Sequence, residues 1–462
     1  MTSSVRWALT SLSLSMLMPS LDTSIANVGL PTLAHAFGAS FQDVQWIVLA
    51  YLLAITSLIV SAGRLGDLLG RRRLLLFGIA LFTVASLLCG VAPSLWLLIA
   101  ARAAQGIGAA MMMALTMALV GETVPKARSG SAMGLLGTMS AIGTTLGPSL
   151  GGILIAGFGW RMIFLVNVPL GILNFVLAHR TLPLDRTVAN GGRASFDAIG
   201  TLLLAVTLAA YALAMTIGGG SVGPHNMALL ATAVLGVILF VFAQARTASP
   251  LFPLTMFRDP TLSAGLAMSV LVSTVMMATL VVGPFYLSRA LGLDVARVGL
   301  VMSVGPFVAS LAGVAAGRMV DRFGAHRMAI VGLIGMCAGF LALSAAPGMF
   351  GVAGYIAAIV IVTTDYALFQ AANNTTLMTD IRPDQRGVIA GMVGLSRNLG
   401  LITGVSVMGA VFAFASATTD ITTAHASAVA AGMRTTFNIA ALLTLVALAV
   451  AVASRLARRA LD

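Results

Sequence analysis

Two carboxylates and two arginines stand inside long apolar stretches of this 462-residue chain: Asp22, Asp365, Arg102 and Arg397. A charge at the centre of a bilayer costs roughly 2.5 to 3.5 kcal/mol on insertion scales, so each marks a candidate site. Asp22 is the sharpest of them. Ser11, Ser15, Met18, Asp22, Ala26 and Gly29 recur every three or four residues, a small and polar helical stripe expected to face the protein interior. A carboxyl held there can take up a proton or pair with a cation, and competition for it would couple the two. Pro19 removes a backbone donor and should free the Ser15 carbonyl, bending the helix or leaving polar groups for a ligand.

Arg102 opens the segment RAAQGIGAA, close to Trp96, an interfacial aromatic. Its side chain can snorkel outward, but with Gln105 one turn on an inward contact is expected, in proton relay or in the electrostatics of a cavity. Asp365 follows Thr363 and Thr364 and reads either as a second proton or cation site or as the partner of Arg397 in the next span. Catalytic and metal-binding sets are not visible. The five histidines (His35, His179, His225, His326 and His425) lie near span ends, Cys89 and Cys337 sit in separate spans as packing residues, and the single lysine, Lys126, stands in TVPKARS rather than in a phosphate-cradling loop. Neither enzyme activity, nor ATP hydrolysis, nor any cofactor or metal is expected.

The elements that position these residues follow from composition. Hydrophobic residues make up 59% of the chain and charged ones 9%, with a mean hydropathy of +1.02. Soluble proteins carry about 25% charged residues, so water is not the main solvent here. Runs of about 20 apolar residues, separated by charged or Gly/Pro punctuation, number fourteen. The expected fold is therefore an all-α integral membrane protein with 14 transmembrane helices: two six-helix bundles plus an inserted two-helix hairpin. Boundaries fall at 1–180 for the first bundle, 181–196 for a linker, 197–246 for the inserted hairpin, 247–261 for a second linker and 262–462 for the second bundle.

Of 26 basic residues, 20 fall at the termini or at even-numbered turns and only Arg161, Arg289, Arg297 and Arg434 at the opposite turns. Since Lys and Arg accumulate in cytoplasmic loops, both termini are expected in the cytoplasm. The net charge of +12 is spread over these segments rather than clustered on one face, which argues against nucleic acid. The first apolar stretch is too long for a signal-peptide core of about 7 to 15 residues and should remain as the first helix.

Gly63 to Arg73 (GRLGDLLGRRR) and Gly317 to Arg327 (GRMVDRFGAHR) read almost alike, 254 residues apart. Duplicated charged turns point to homologous bundles, the architecture in which transporters place a site at the repeat interface. Together with LDTSIANVGLP (21–31), QWIVLAYLL (45–53), RAAQGIGAA (102–110), GTTLGPSLGG (143–152) and WRMIFLVNVPLG (160–171), the chain resembles the major facilitator superfamily, and its span count resembles the drug:proton antiporter family with fourteen helices.

That resemblance implies a cytoplasmic gate at Gly63, Asp67, Gly70 and Arg71, with Asp67 pairing Arg71 or facing a helix N-terminus. The second copy supplies Asp321 and Arg322, but Ala325 and His326 replace two arginines and weaken that half-gate. An antiporter motif would comprise Gly143, Gly147, Pro148, Gly151 and Gly152, whose small residues also suit plain helix packing, as do Asn167 and Pro169. The implied activity is proton-driven export of small lipophilic, cationic compounds from a bacterial cytoplasmic membrane, powered by the proton gradient and without ATP or nucleic acid, the protein's other partner being membrane lipid. Met111, Met112, Met113, Met276 and Met277 offer adaptable apolar walls. A dedicated exporter of one metabolite is the alternative.

Overall fold

A computed structural model describes residues 3–123, 129–185, 197–216, 223–247, 254–378, 386–416 and 424–459. All regular structure among the described residues is helical. Apolar runs of this length have one way to satisfy their backbone in lipid short of a closed barrel, which is to bond each N–H within its own helix. Twelve of the helices are long and apolar enough to cross a membrane, against the fourteen spans read from the sequence.

The chain forms two compact units. The first comprises Met1–Ala39, Trp46–Tyr211 and Ala228–Leu251; the second comprises Ser40–Gln45, Ala212–Met227 and Phe252–Asp462. Helices α1 (Ser3–Phe37), α2 (Phe41–Leu69), α3 (Arg71–Val91), α4 (Leu95–Thr123), α5 (Ser129–Phe158), α6 (Met162–Leu165) and α7 (Asn167–Thr181) precede α8 (Ala198–Thr216) and α9 (Pro224–Arg246). They are followed by α10 (Pro260–Phe285), α11 (Val295–Phe323), α12 (Ala325–Met378), α13 (Arg386–Thr403), α14 (Gly409–Ala415) and α15 (Ala426–Arg459). A π turn at Tyr286–Ala290 prolongs α10, and another at Gly404–Met408 joins α13 to α14.

In the first unit α1 lies along α5, and glycine makes the approach close. A Cβ at Gly143 would stand 2.6 Å from the Leu17 carbonyl oxygen, and one at Gly151 2.7 Å from Ile25 Cγ1. Ser24 Oγ donates to the Thr144 carbonyl at 2.7 Å, and the Ser20 and Ser140 hydroxyls meet at 2.6 Å. Helices α3 and α4 pack by the same device, with Gly78 under Met111 and Gly108 under the Phe82 backbone. Helix α8 is tied to α2 by the Ser61 and Thr201 hydroxyls, and to α9 by Gln244 Nε2 donating to Asp197 at 2.6 Å.

In the second unit α12 is 54 residues long, about 81 Å if straight, far beyond one hydrocarbon core of about 30 Å. It is not straight. Gly351 takes φ 57°, and the runs 325–350 and 352–378 fold back on each other. Gly332 meets the Phe369 backbone, Gly335 the Asp365 side chain and Gly339 Val362. The register is that of an antiparallel helical hairpin.

Gly70 (φ 98°) and Gly324 (φ 87°) occupy equivalent places in the two Gly-Arg segments. Each ends one helix and releases the next within a single residue, at a φ that costs other L-residues strain. The duplication read from sequence is a duplicated backbone turn.

Candidate functional site

The stripe on α1 is buried. Ser11, Ser15, Met18, Asp22 and Ala26 are all 0% exposed, and side chains of α7 and α4 bond the polar members of that face. Toward the helix start, Ser11 Oγ donates to Asn174 Oδ1 at 2.9 Å and Asn174 Nδ2 donates to Ser15 Oγ at 2.9 Å. Two turns further along α7 toward its N-terminus, Asn167 meets Asp22.

Asp22 is the centre of a closed polar cluster drawn from five helices. Its Oδ2 accepts from Arg102 Nη1 of α4 as a buried ion pair. Its Oδ1 accepts from Gln105 Nε2 at 2.8 Å and from Asn167 Nδ2 at 2.8 Å. Arg102 Nη1 also donates to Gln105 Oε1 at 2.6 Å, and its Nε donates to the Ile47 carbonyl of α2 at 3.0 Å. The guanidinium carbon lies 4.2 Å from the centre of the Tyr51 ring and 5.7 Å from that of Phe164. Gln105 Nε2 reaches Ser86 of α3 at 2.8 Å, and the Cys89 thiol points at Gln105 Oε1 from 3.8 Å.

Burying either charge alone would cost several kcal/mol; here the two neutralise each other, Asp22 accepts from three donors, and Arg102 is bonded through Nε and Nη1 while its buried Nη2 has no partner. Asp22 is saturated by three donors and fully enclosed. In this arrangement it is a paired carboxylate, not an open seat for a cationic ligand. The Pro19 carbonyl takes two side-chain donors, Tyr51 Oη at 3.2 Å and Thr23 Oγ1 at 2.8 Å.

The structure thus brings Asp22 and Arg102 together and adds Gln105, Asn167, Ser86 and Tyr51. Asn167 and Tyr51 carried a signal, since both stand in segments that resemble family motifs; Ser86 carried none. Asp365 and Arg397 are not brought together. Asp365 is half-buried against Gly335 inside the α12 hairpin, while Arg397 lies on the exposed face of α13, so the ion pair considered for them is not formed.

At the α2–α3 turn Gly63 lies within α2, and the Asp67 side chain lies outside the described residues. Arg71 opens α3. The carboxylate that faces a helix N-terminus there is one the sequence reading missed: Asp185, just past α7, accepts from the backbone N–H of Arg72 at 2.8 Å and of Arg73 at 3.1 Å. Arg72 Nη2 donates to the His179 carbonyl at 2.6 Å. Gly70 lets this clasp form, since a Cβ there would run into the Asp185 carboxylate. Asp321 and Arg322 are exposed, the latter over the Phe323 ring at 5.3 Å. Gly143, Gly147 and Gly151 meet α1, and Pro148 and Gly152 are buried beside them. Among the described residues no group of three or more His, Cys, Asp or Glu side chains is placed to hold a metal.

Residues 12–405 match the profile of the Major Facilitator Superfamily. The chain is similar to the multidrug resistance protein Stp of Mycobacterium tuberculosis, 34% identical over 87% of this chain and 74% of that protein. It is also similar to the riboflavin transporter RibZ of Clostridioides difficile, 30% identical over 86% of each, and to the drug efflux pump JefA of Mycobacterium tuberculosis, 33% identical over 89% of this chain and 81% of that protein. In fold it resembles the nucleoside transporter NupG, with a TM-score of 0.70, 13% identity and coverage of 97% and 99%. A bacterial homolog of the lysosomal transporter Spinster aligns with a TM-score of 0.69 at 16% identity, covering 98% of each chain.

Proposed function

This chain belongs to the Major Facilitator Superfamily and is an integral membrane transporter, and we propose that it exports lipophilic, cationic drugs or toxic compounds in exchange for protons. The observation that carries the reading is the Asp22–Arg102 pair, fully buried inside the first unit and ringed by neutral hydrogen-bonding side chains. A proton on Asp22 cancels its charge and weakens its hold on Arg102. The two charge states then favour different packings of α1 against α4 and α7. Substrate that binds the deprotonated packing better expels the proton, and the reverse also holds, which is exchange by linkage. The likeness to proteins named for multidrug resistance and drug efflux supports small drugs as cargo. The likeness to a riboflavin transporter supports a second reading, a dedicated exporter of one metabolite.

Around that switch we place fourteen spans, reading α1 as the first, each half of α12 as one, and α6–α7 and α13–α14 as one each. Both termini and the two Gly-Arg turns then lie on the cytoplasmic side of a bacterial inner membrane, a placing that the 20 basic residues at those ends support. The Gly-Arg turns act as gates, the glycine face of α5 as a sliding surface, and Asp365 as a second proton or cation site. The test is purified protein in liposomes with an imposed pH gradient and ethidium as probe. Asp22→Asn keeps the shape but cannot titrate; it also leaves the buried Arg102 without its counter-charge, so a lowered melting temperature is expected, and in folded protein reconstituted at matched amounts gradient-driven export is expected to fall at least about tenfold. Undiminished export by that variant would overturn the reading. Testing riboflavin and a set of unrelated cations side by side separates multidrug from dedicated export.

A further inference from the structure

Asp22 is hydrogen-bonded as a carboxylate, and every contact it makes is a donor: Arg102 Nη1, Gln105 Nε2 and Asn167 Nδ2. A protonated Asp22 carries an O–H that needs an acceptor in a place sealed from water, where an unmade bond costs about 1 to 3 kcal/mol. Arg102 has only donors. Gln105 Oε1 already takes Arg102 Nη1 at 2.6 Å and the Cys89 thiol at 3.8 Å. Asn167 Oδ1 is buried and has no partner, although the other end of the same amide touches Asp22.

We propose that Asn167 is the positioning residue that reads the charge of Asp22: its amide donates Nδ2–H to the carboxylate and, once Asp22 is protonated, turns over to accept the new O–H on Oδ1. The inference rests on Asp22 being the proton site. The proton comes from solvent and stays on Asp22, Arg102 keeps its own, and the exchange of roles breaks one hydrogen bond and makes one. The other titratable groups facing Asp22 are Arg102 of α4, Tyr51 of α2 and Cys89 of α3; α5 and α6 contain none, and His179 and Arg180 of α7 lie three turns beyond Asn167.

Position suits the task. Asn167 begins α7 immediately after the turn at Val166 that ends α6, and Pro169 follows it without a backbone N–H. A side chain that switches partner at such a joint can alter the angle between the two segments.

The test compares Asn167→Leu, which has no amide, with Asn167→Gln, which keeps one, in full-length protein in liposomes. Asn167→Leu is expected to lose gradient-driven export by at least about tenfold more than it loses ethidium exchange without a pH gradient, with Asn167→Gln recovering part of the difference. A merely structural role would lower both assays together, and that result overturns the proposal, as does full gradient-driven export by the leucine variant. If Asn167→Leu does not fold, infrared difference spectra of the native protein with labelled asparagine decide. The side-chain carbonyl band of Asn167 must move with the protonated carboxyl band that Asp22→Asn abolishes; an unmoved amide refutes the switch. Absence of any Asp22-dependent carboxyl band refutes instead the reading of Asp22 as proton site, and this inference with it.

Discussion

The α3–α4 pair of the first unit and the two halves of α12 in the second are the same packing with different chemistry. Gly78 lies under Met111 as Gly332 lies under Asp365, and the 254-residue offset of the Gly-Arg segments maps one onto the other. That offset puts Ile356 and Ile359 where Arg102 and Gln105 stand. The α1–α5 and α10–α13 contacts correspond as well: Gly143 faces Leu17 and Ser20, and Gly400 faces Val270 and Ser273, which sets the fully buried Val275 opposite Asp22. Glycine spacing therefore builds both frames; the first holds the buried Asp22–Arg102 pair, and the second holds Asp365 with isoleucines at the places of Arg102 and Gln105. A buried arginine is tolerated where an acid, an amide, a backbone carbonyl and two aromatic faces meet it together, and an isoleucine serves where they do not.

The largest effect that tests this contrast is removal of one charge. Arg102→Met leaves Asp22 buried and unpaired and is expected to cost about 3 to 5 kcal/mol, read as a lowered melting temperature in detergent. Importing the second unit's residues together, as Asp22→Val, Arg102→Ile and Gln105→Ile, should recover most of that loss while abolishing gradient-driven export. If the triple variant melts no higher than Arg102→Met, the two frames are not equivalent. Next in size are the glycine seams. Gly143→Ala and Gly400→Ala each force a methyl into a neighbouring backbone and should destabilise by about 1 to 3 kcal/mol, by similar amounts in the two units. A large difference between them in the same melting assay would break the correspondence drawn from their contacts. The smallest effect belongs to the clasp at α3. Asp185→Ala is expected to cost about 1 kcal/mol, shrinking as salt is raised, and a salt-independent loss would mean that the carboxylate acts other than on the helix N-terminus.

Much of this frame was legible from the chain. The duplicated Gly-Arg segments announced the repeat, and Asp22 and Arg102 stood out because charge is rare inside apolar runs. Asn167 and Tyr51 stood in segments that resemble family motifs, but nothing in the sequence tied them, or Ser86, to Asp22. Asn167, Ser86 and Tyr51 are residue types that many spans contain, and whether they face a carboxylate depends on how α7, α3 and α2 are rotated about their axes, which one-dimensional spacing does not specify. Asp185 follows a helix and caps another that precedes it by over a hundred residues, so no local pattern marks it. Asp365 and Arg397 lie in consecutive helices, yet nearness in sequence says nothing of azimuth: Asp365 lies against Gly335 and Arg397 is exposed.

The guanidinium of Arg102 is held by shape as much as by charge. Tyr51 and Phe164 present their rings to it at 4.2 and 5.7 Å, while its edge meets Asp22, Gln105 and the Ile47 carbonyl. A flat, delocalised cation meets such a slot on its face and along the Nε and Nη1 part of its rim, Nη2 being buried without a partner; a tetrahedral ammonium of equal charge would match neither. The middle of the first unit is accordingly a lock cut for one side chain, and lysine, however conservative on paper, is the wrong key.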